Sequence, residues 1–308
     1  MIAFEIVDLH VHLQRDVEME RIMYPRPGWP DDWFWFTPER VTQYMDFWNF
    51  SSIVSVNLMN ERRVPFERAR IRGLPPTEPV AEPLTDEEFR SLVRDLNEWG
   101  LDVGAEHPRI LQFMATEPVA FGSRLVHDVE DWVRRGAKGL KVHPRVGRHL
   151  PSHPDMLPVY DLCQQLGIPI LADTGGEPIG GRPPLTHPRH WTSVLRDFPR
   201  LKLVMAHFGG ELWEDRVEIG SEFRSENVVF DLAGGLVDES HPPRGHRQLP
   251  AADAPRVFRA VGVDRILYGS DAPHGDPMDT ARQVAGLELT DSEKQQIFAG
   301  NAKRILGI

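Results

Sequence analysis

Residues 168–207 read IPILADTGGEPIGGRPPLTHPRHWTSVLRDFPRLKLVMAH. Two apolar runs, 168–172 and 201–205, enclose a Gly/Pro loop and a stretch with helical spacing at 188–198. Apolar character on successive residues suits strands covered on both faces, as in a parallel sheet flanked by helices. The same strand–loop–helix unit recurs in both directions. Further strand-like runs lie at 2–9, 51–58, 109–116, 137–144, 227–233 and 264–271. Helical patterns separate them, at 121–135, 154–166, 211–224, 253–262 and 276–286. One opens at Thr37-Pro38-Glu39 with proline in its first turn. Another opens at Thr85-Asp86-Glu87-Glu88 with the spacing of a capping box. Eight strands alternating with helices predict an α/β fold, and a closed (β/α)8 TIM barrel of about 250 residues plus insertions fits the length. Residues 1–308 are expected to form one such domain.

Four long stretches directly follow strands: 14–36 with three Trp, the Arg- and Pro-rich 60–84, and the Gly/Pro/His loops 174–187 and 234–250. In a barrel they gather over the C-terminal rim, where barrel enzymes place their sites. Composition narrows the chemistry. Lys and Arg total 35 against 46 Asp and Glu, a net charge of -11, which repels nucleic acid and anionic lipid surfaces. No run nears the ~18 apolar residues of a membrane span, and the start lacks the marks of a signal peptide. A cytoplasmic protein with a small-molecule substrate is the expectation. The single cysteine, Cys163, excludes a Cys-cluster metal site and reads as an inert core thiol. His and carboxylates are left as metal ligands.

Such residues stand at the strand ends. The first run ends Asp8-Leu9-His10-Val11-His12. Residues two apart share a face of a strand, so both imidazoles point the same way, a natural pair for a divalent ion. Taken alone, one hydrogen-bonded and one solvated histidine explains the pair equally well. Lys141 and His143 end the fourth run, Asp173 the fifth, His207 the sixth and Asp271 the eighth. Buried groups of this kind are costly unless paired or metal-bound, so their convergence on one site argues for function.

VDLHVHL (7–13), GAKGLKVHP (136–144), PILADTGG (169–176), LKLVMAHFGG (201–210), RILYGSDAP (265–273) and IFAGNAKRILGI (297–308) together resemble the amidohydrolase superfamily. The similarity is to the branch typified by aminocarboxymuconate-semialdehyde decarboxylase. The resemblance implies a divalent ion, usually zinc, held by His10, His12 and Asp271; a further carboxylate ligand, Asp173, moves the preference toward manganese or iron. It implies His207 as the general acid/base and Asp271 as proton acceptor, and homodimers are common among such proteins. Where relatives carry a His at the end of the fifth strand, this chain carries Asp173. Asp173 as a fourth ligand is one reading. The other has Asp173 orienting a neighbour while His143 completes the set. Lys141 reads as a cation for Asp173 or a substrate carboxylate, rather than as the carbamylated bridge of binuclear relatives.

Arg145, Arg148 and His149 after the fourth run, and Arg182, Arg244 and His246 on rim loops, are candidates for a carboxylate clamp. With Lys141 and His143, the first two form the expected substrate-binding set. Each is equally a solvated loop charge. Asp231, ending the seventh run, reads equally as a partner of His207 or substrate and as a structural hydrogen-bonding residue. Trp29, Trp33, Trp35 and Phe36 read either as an apolar lid or as an oligomer contact. Trp48, Trp99 and Trp132 read as packing residues. The reaction expected is hydrolysis of an ester, lactone or amide bond in a small carboxylate-bearing molecule. Non-oxidative decarboxylation of an unsaturated or aromatic acid is the alternative on the same fold. A metal-free binding protein is the alternative from another class.

Overall fold

A computed structural model describes residues 2–25, 35–75, 78–80, 85–176, 184–237 and 248–308. Eight strands form one parallel sheet in sequence order: β1 (Ile6–Val11), β2 (Phe50–Val56), β3 (Ile110–Thr116), β4 (Gly139–Val142), β5 (Ile170–Ala172), β6 (Leu203–Met205), β7 (Val228–Asp231) and β8 (Ile266–Leu267). The sheet closes on itself. Leu9 N donates to Tyr268 O, Asp271 N to His10 O and His12 N to Ala272 O, with a parallel bridge between Val11 and Ala272. The (β/α)8 barrel read from the sequence is the observed fold. Among the described residues, no helix is long and apolar enough to cross a membrane.

The interior is a cluster drawn from seven strands: Val7, Leu9, Val54, Val56, Leu111, Phe113, Leu171, Val204, Ala206, Val229 and Leu267. β4 contributes no such residue. It places Gly139 beside the Phe113 ring and Lys141 in register with Leu171. Ala302 and Ile305, on the helix Asn301–Leu306, join the same cluster. Around that helix, Lys303 binds Glu5, Lys202 Nζ donates to Ile305 O, and Arg304 donates to Glu226 O and Asp264 O. All four of those partners precede strands, so the helix plugs the end opposite the C-terminal rim. The larger outer cluster fills the layer between strands and helices, with Trp132 inside it and Trp48 and Trp99 packed against it. Cys163 is fully buried there, its thiol pushed up by burial.

One irregularity decides where the chemistry points. β1 pairs Asp8 with Ile53 but Val11 with Ser55, so three steps along β1 match two along β2. The extra residue is a bulge. Val7 and Leu9 face the interior, and a regular strand would turn His10 and His12 away from it. The bulge changes the phase and brings both imidazoles inward.

The other differences from the sequence reading are local. The strands stop short of His143, Asp173, His207 and Asp271, which lie just past the hydrogen-bonded ladder. The stretches 14–36 and 60–84 contain the helices Val17–Met23 and Val64–Ile71. At the helix Asp86–Glu106, Thr85 Oγ1 accepts from Glu88 N. The reciprocal bond of a full capping box is not formed there. Glu88 takes a two-pronged bond from Arg68, at 2.6 Å on each oxygen, since a charged guanidinium outcompetes a backbone amide. A full capping box stands instead at Thr290 and Glu293. Phe36 belongs to the outer core and Trp35 is buried under Arg21, so neither is free to swing as a lid. Trp29 and Trp33 lie outside the described residues, as do Arg182, Arg244 and His246.

Gly139 tests the interior packing. A Cβ there would sit 2.5–2.7 Å from the Phe113 ring. Gly139→Ala should therefore lower stability by roughly 1–3 kcal/mol, as overpacking of a filled core does, while an alanine at Gly286, which faces open space without left-handed backbone, leaves the interior untouched. Urea unfolding of the two variants measures the difference.

Candidate active site

At the C-terminal mouth the donor atoms of His10, His12 and Asp271 all lie within 4.8 Å of one another. Asp271 Oδ1 is 3.2 Å from His12 Nε2 and 3.6 Å from His10 Nε2. Neighbours fix which nitrogen of each ring carries the proton. His12 Nδ1 donates to Val56 O at 3.2 Å, and His10 Nδ1 donates to Asp231 Oδ2 at 3.0 Å. Both Nε2 atoms thus present lone pairs toward the Asp271 carboxylate. Burial, the first cause, drives both rings toward the neutral form, His12 to about 3. Asp271 stays ionised because the histidines around it outweigh its burial.

A tetrahedral ion with bonds of about 2.0–2.2 Å separates its ligand atoms by roughly 3.3–3.5 Å. The two spacings from Asp271, 3.2 and 3.6 Å, match. One group competes. Lys141 Nζ lies 3.1 Å from His10 Nε2, on the lone pair that an ion would use. Burial pushes the Lys141 amine down, against Asp173, Asp271 and Asp231, which favour its charge.

His207 and Asp173 form a second group. His207 Nε2 is 3.2 Å from Asp173 Oδ2, and His207 Nδ1 is 3.2 Å from Ala233 O. Both partners accept only, so the ring is an imidazolium. Burial opposes that charge, but the bond to Asp173 and the carboxylates of Asp173, Asp271 and Asp231 win, raising its pKa to about 9. His143 Nε2 meets the same Asp173 oxygen at 3.3 Å, while Asp173 Oδ1 accepts from Gly175 N. Asp173 and His143, read from sequence as the fourth ligand and its reserve, are therefore turned toward each other and His207. Neither belongs to the close donor group.

Asp231, fully buried, joins the two groups: Oδ2 holds His10 and Oδ1 accepts from His207 N and Ala233 N. His207 and Asp271 both take left-handed backbone, φ 67° and 61°, which non-glycine residues adopt at a cost and which clusters at functional sites. Arg216, also buried, ties the β5 and β6 ends together through Thr174 Oγ1, Thr174 O and Glu211 O. Arg145 and Arg148 are exposed on the rim, and His149 is buried with Nδ1 donating to Leu150 O. Sequence reading missed Tyr24 and His274. The Tyr24 ring meets His274 edge-on at 4.9 Å, and His274 meets His12 at 6.0 Å. His274 follows Asp271 by three residues, a signal available in the sequence.

The amidohydrolase family model matches residues 7–308. No curated protein matches the chain. Among solved structures, a dihydroxybenzoic acid decarboxylase from Polaromonas sp. JS666, with bound manganese and the inhibitor 2-nitroresorcinol, is 15% identical with a TM-score of 0.68, over 99% of this chain and 97% of that one. A 5-carboxyvanillate decarboxylase from Sphingomonas paucimobilis is 14% identical with a TM-score of 0.65, over 99% and 100%. A protein from Acinetobacter baumannii, reported as a probable 2-pyrone-4,6-dicarboxylic acid hydrolase with citric acid bound, is 14% identical with a TM-score of 0.60, over 99% and 100%. Identities this low speak to the fold alone.

The His207–Asp173 pair has a measurable pH signature in metal-free protein. A histidine raised from 6.5 to about 9 by folding stabilises the native state fully below about pH 6.5, and that contribution is lost as pH rises through about 9. Unfolding free energies at pH 6.5 and 9.5 should fall for the wild type and fall less for His207→Gln.

Proposed function

The chain belongs to the amidohydrolase family, and within it we propose a metal-dependent hydrolase of an ester, lactone or amide bond in a small carboxylate-bearing molecule. The observation that carries this reading is the close group of two neutral imidazole lone pairs and one carboxylate. Charge supports it as well: Asp173, Asp231 and Asp271 face Lys141 and a protonated His207, which leaves the mouth negative before any cation binds. His10, His12 and Asp271 would hold the ion. Two nitrogens and one oxygen form a zinc-type set, with manganese or iron as the alternatives. Asp173 would join only by leaving His207 and His143.

A divalent ion there would supply Lewis acidity and a water of lowered pKa. The chain's own groups do the remaining work. Asp271 accepts the proton lost by the attacking water. His207, already protonated, would turn its Nε2 proton from Asp173 to the substrate oxygen and then pass it to the leaving group. Asp173 keeps His207 charged until that transfer, and Asp231 fixes the His10 tautomer. Arg145 and Arg148, with Lys141 and His143, are proposed to meet the substrate's charge. Composition suggests a cytoplasmic protein, and the family resemblance a homodimer, which sedimentation of the purified protein checks.

A second reading rests on His207 itself. An imidazolium at the mouth can equally protonate carbon, which a decarboxylase requires, and two of the solved proteins sharing this fold are decarboxylases. Release of carbon dioxide against release of acid separates the two reactions.

Two variants test the site. His10→Ala or His12→Ala should lose the metal, read by elemental analysis, and keep the barrel, read by circular dichroism. Unchanged metal content would remove the ligand assignment. His207→Asn should keep the metal and lose on the order of 10²–10⁴-fold in rate. A variant that turns over normally, or drops its metal, would take the acid role from His207.

A further inference from the structure

The seam between β1 and β8 is held by one side chain that points away from the mouth. Val7 and Leu9 belong to the interior cluster, so Asp8 between them faces the helix layer, where the Tyr44 and Tyr268 phenols feel its charge. On a regular strand His10, two residues on, would share that outward face. It points inward instead, and its ring meets Asp231 and Asp271. The change of phase therefore falls between Asp8 and His10, and one hydrogen bond spans it: His10 N donates to Asp8 Oδ1 at 3.1 Å. An aspartate that bonds the amide two residues on offers the backbone an alternative to the ladder, and the bulge of one extra residue lies at that point.

The same oxygen crosses the seam. Ser270 N donates to Asp8 Oδ1 at 3.0 Å, which fixes the residue before Asp271. Ser270 Oγ in turn accepts from Ala272 N at 3.1 Å, and Asp271 N donates to His10 O at 2.8 Å. One oxygen atom thus holds the backbone beneath two of the three close donors, His10 and Asp271. β8 leaves room for the turned ring: a Cβ at Gly269 would lie 3.3 Å from His10 Cβ and from Asp231 Cβ. Asp8 Oδ2 is buried with no hydrogen-bond partner, and an atom so placed is costly. A side chain that only filled space between strand and helices would carry no such cost, so what Oδ1 holds has to offset it.

We propose that Asp8 is a positioning residue for the metal ligands, its Oδ1 setting the β1 bulge that turns His10 and His12 into the mouth and places Asp271 beside them. The proposal deepens the hydrolase reading and rests on it for the ion alone, since the orientation of the two rings is a property of the chain itself. Asp8 acts through the backbone and reaches neither the ligand atoms nor a substrate. A group that orients ligands in this way is worth roughly 10–100-fold in metal affinity.

Asp8→Leu keeps the shape of the side chain and loses the acceptor, whereas Asp8→Asn keeps an oxygen in the place of Oδ1. In the metal-free full chain, ring nitrogen chemical shifts report which nitrogen of His10 and His12 carries the proton. The wild type and Asp8→Asn should show the proton on Nδ1 of both rings, and Asp8→Leu should lose that pattern. Zinc affinity, measured by competition with a chelator, should fall roughly 10–100-fold in Asp8→Leu and hold in Asp8→Asn. Gly139→Ala is the control for stability alone: it weakens the barrel and should leave both rings and the zinc affinity as they are. If Asp8→Leu does not fold, Asp8→Ala decides, and failure of both to fold assigns Asp8 to barrel closure and overturns the proposal. An unchanged ring pattern or zinc affinity in Asp8→Leu overturns it too, as do equal losses in Asp8→Asn or Gly139→Ala. A wild type that takes up no zinc defeats the metal-dependent reading instead, and the ring pattern alone then decides the role of Asp8.

Discussion

The Asp231 carboxylate is the constraint around which the mouth is arranged. One oxygen takes the Nδ1 proton of His10, and the other takes the backbone amides of His207 and Ala233. A single buried charge thereby sets the tautomer on β1 and holds the turn after β6 in its left-handed form. Three backbone and ring donors keep it ionised against full burial, with the His207 charge helping. Neutralising this residue would loosen both groups at once, although it touches no proposed substrate position.

Burying so many ionisable groups works only because each is matched. Lys141 faces His10 with Asp173, Asp231 and Asp271 around it. His207 is charged because both its nitrogens find acceptors. The contest between Lys141 and a cation for His10 Nε2 follows from the same crowding. A cation that took that lone pair would displace the ammonium, which Asp173, Asp271 and Asp231 also attract.

The barrel was legible because parallel strands covered on both faces leave near-continuous apolar runs, as in 168–172 and 201–205. The strand-end residues were legible because charge at the end of an apolar run has few structural explanations. The β1 bulge was not. Spacing of two puts His10 and His12 on one face, but which face depends on one extra residue that the periodicity does not mark. Asp173 as a fourth ligand followed from position alone, whereas its contacts with His207 and His143 depend on how two turns meet. Asp8 was hidden for a related reason. Beside two histidines it looks like one more acid at a strand end, and only the fold shows its side chain turned away from them and holding their backbone.

The plug at the far end of the barrel has a consequence for biosynthesis. The interior cluster is sealed by Ala302 and Ile305, and the last strand closes against the first. A chain emerging from a ribosome can pair β1 through β7 early, yet it exposes the lining of Val7, Leu9 and Leu171 until residues past 300 are free. Domains fold as units once their closing segment is available. During that interval the nascent barrel is an open trough with apolar walls, and its dependence on chaperone shielding should be set by the time taken to translate from β8 through the plug helix, at about 5–20 residues per second.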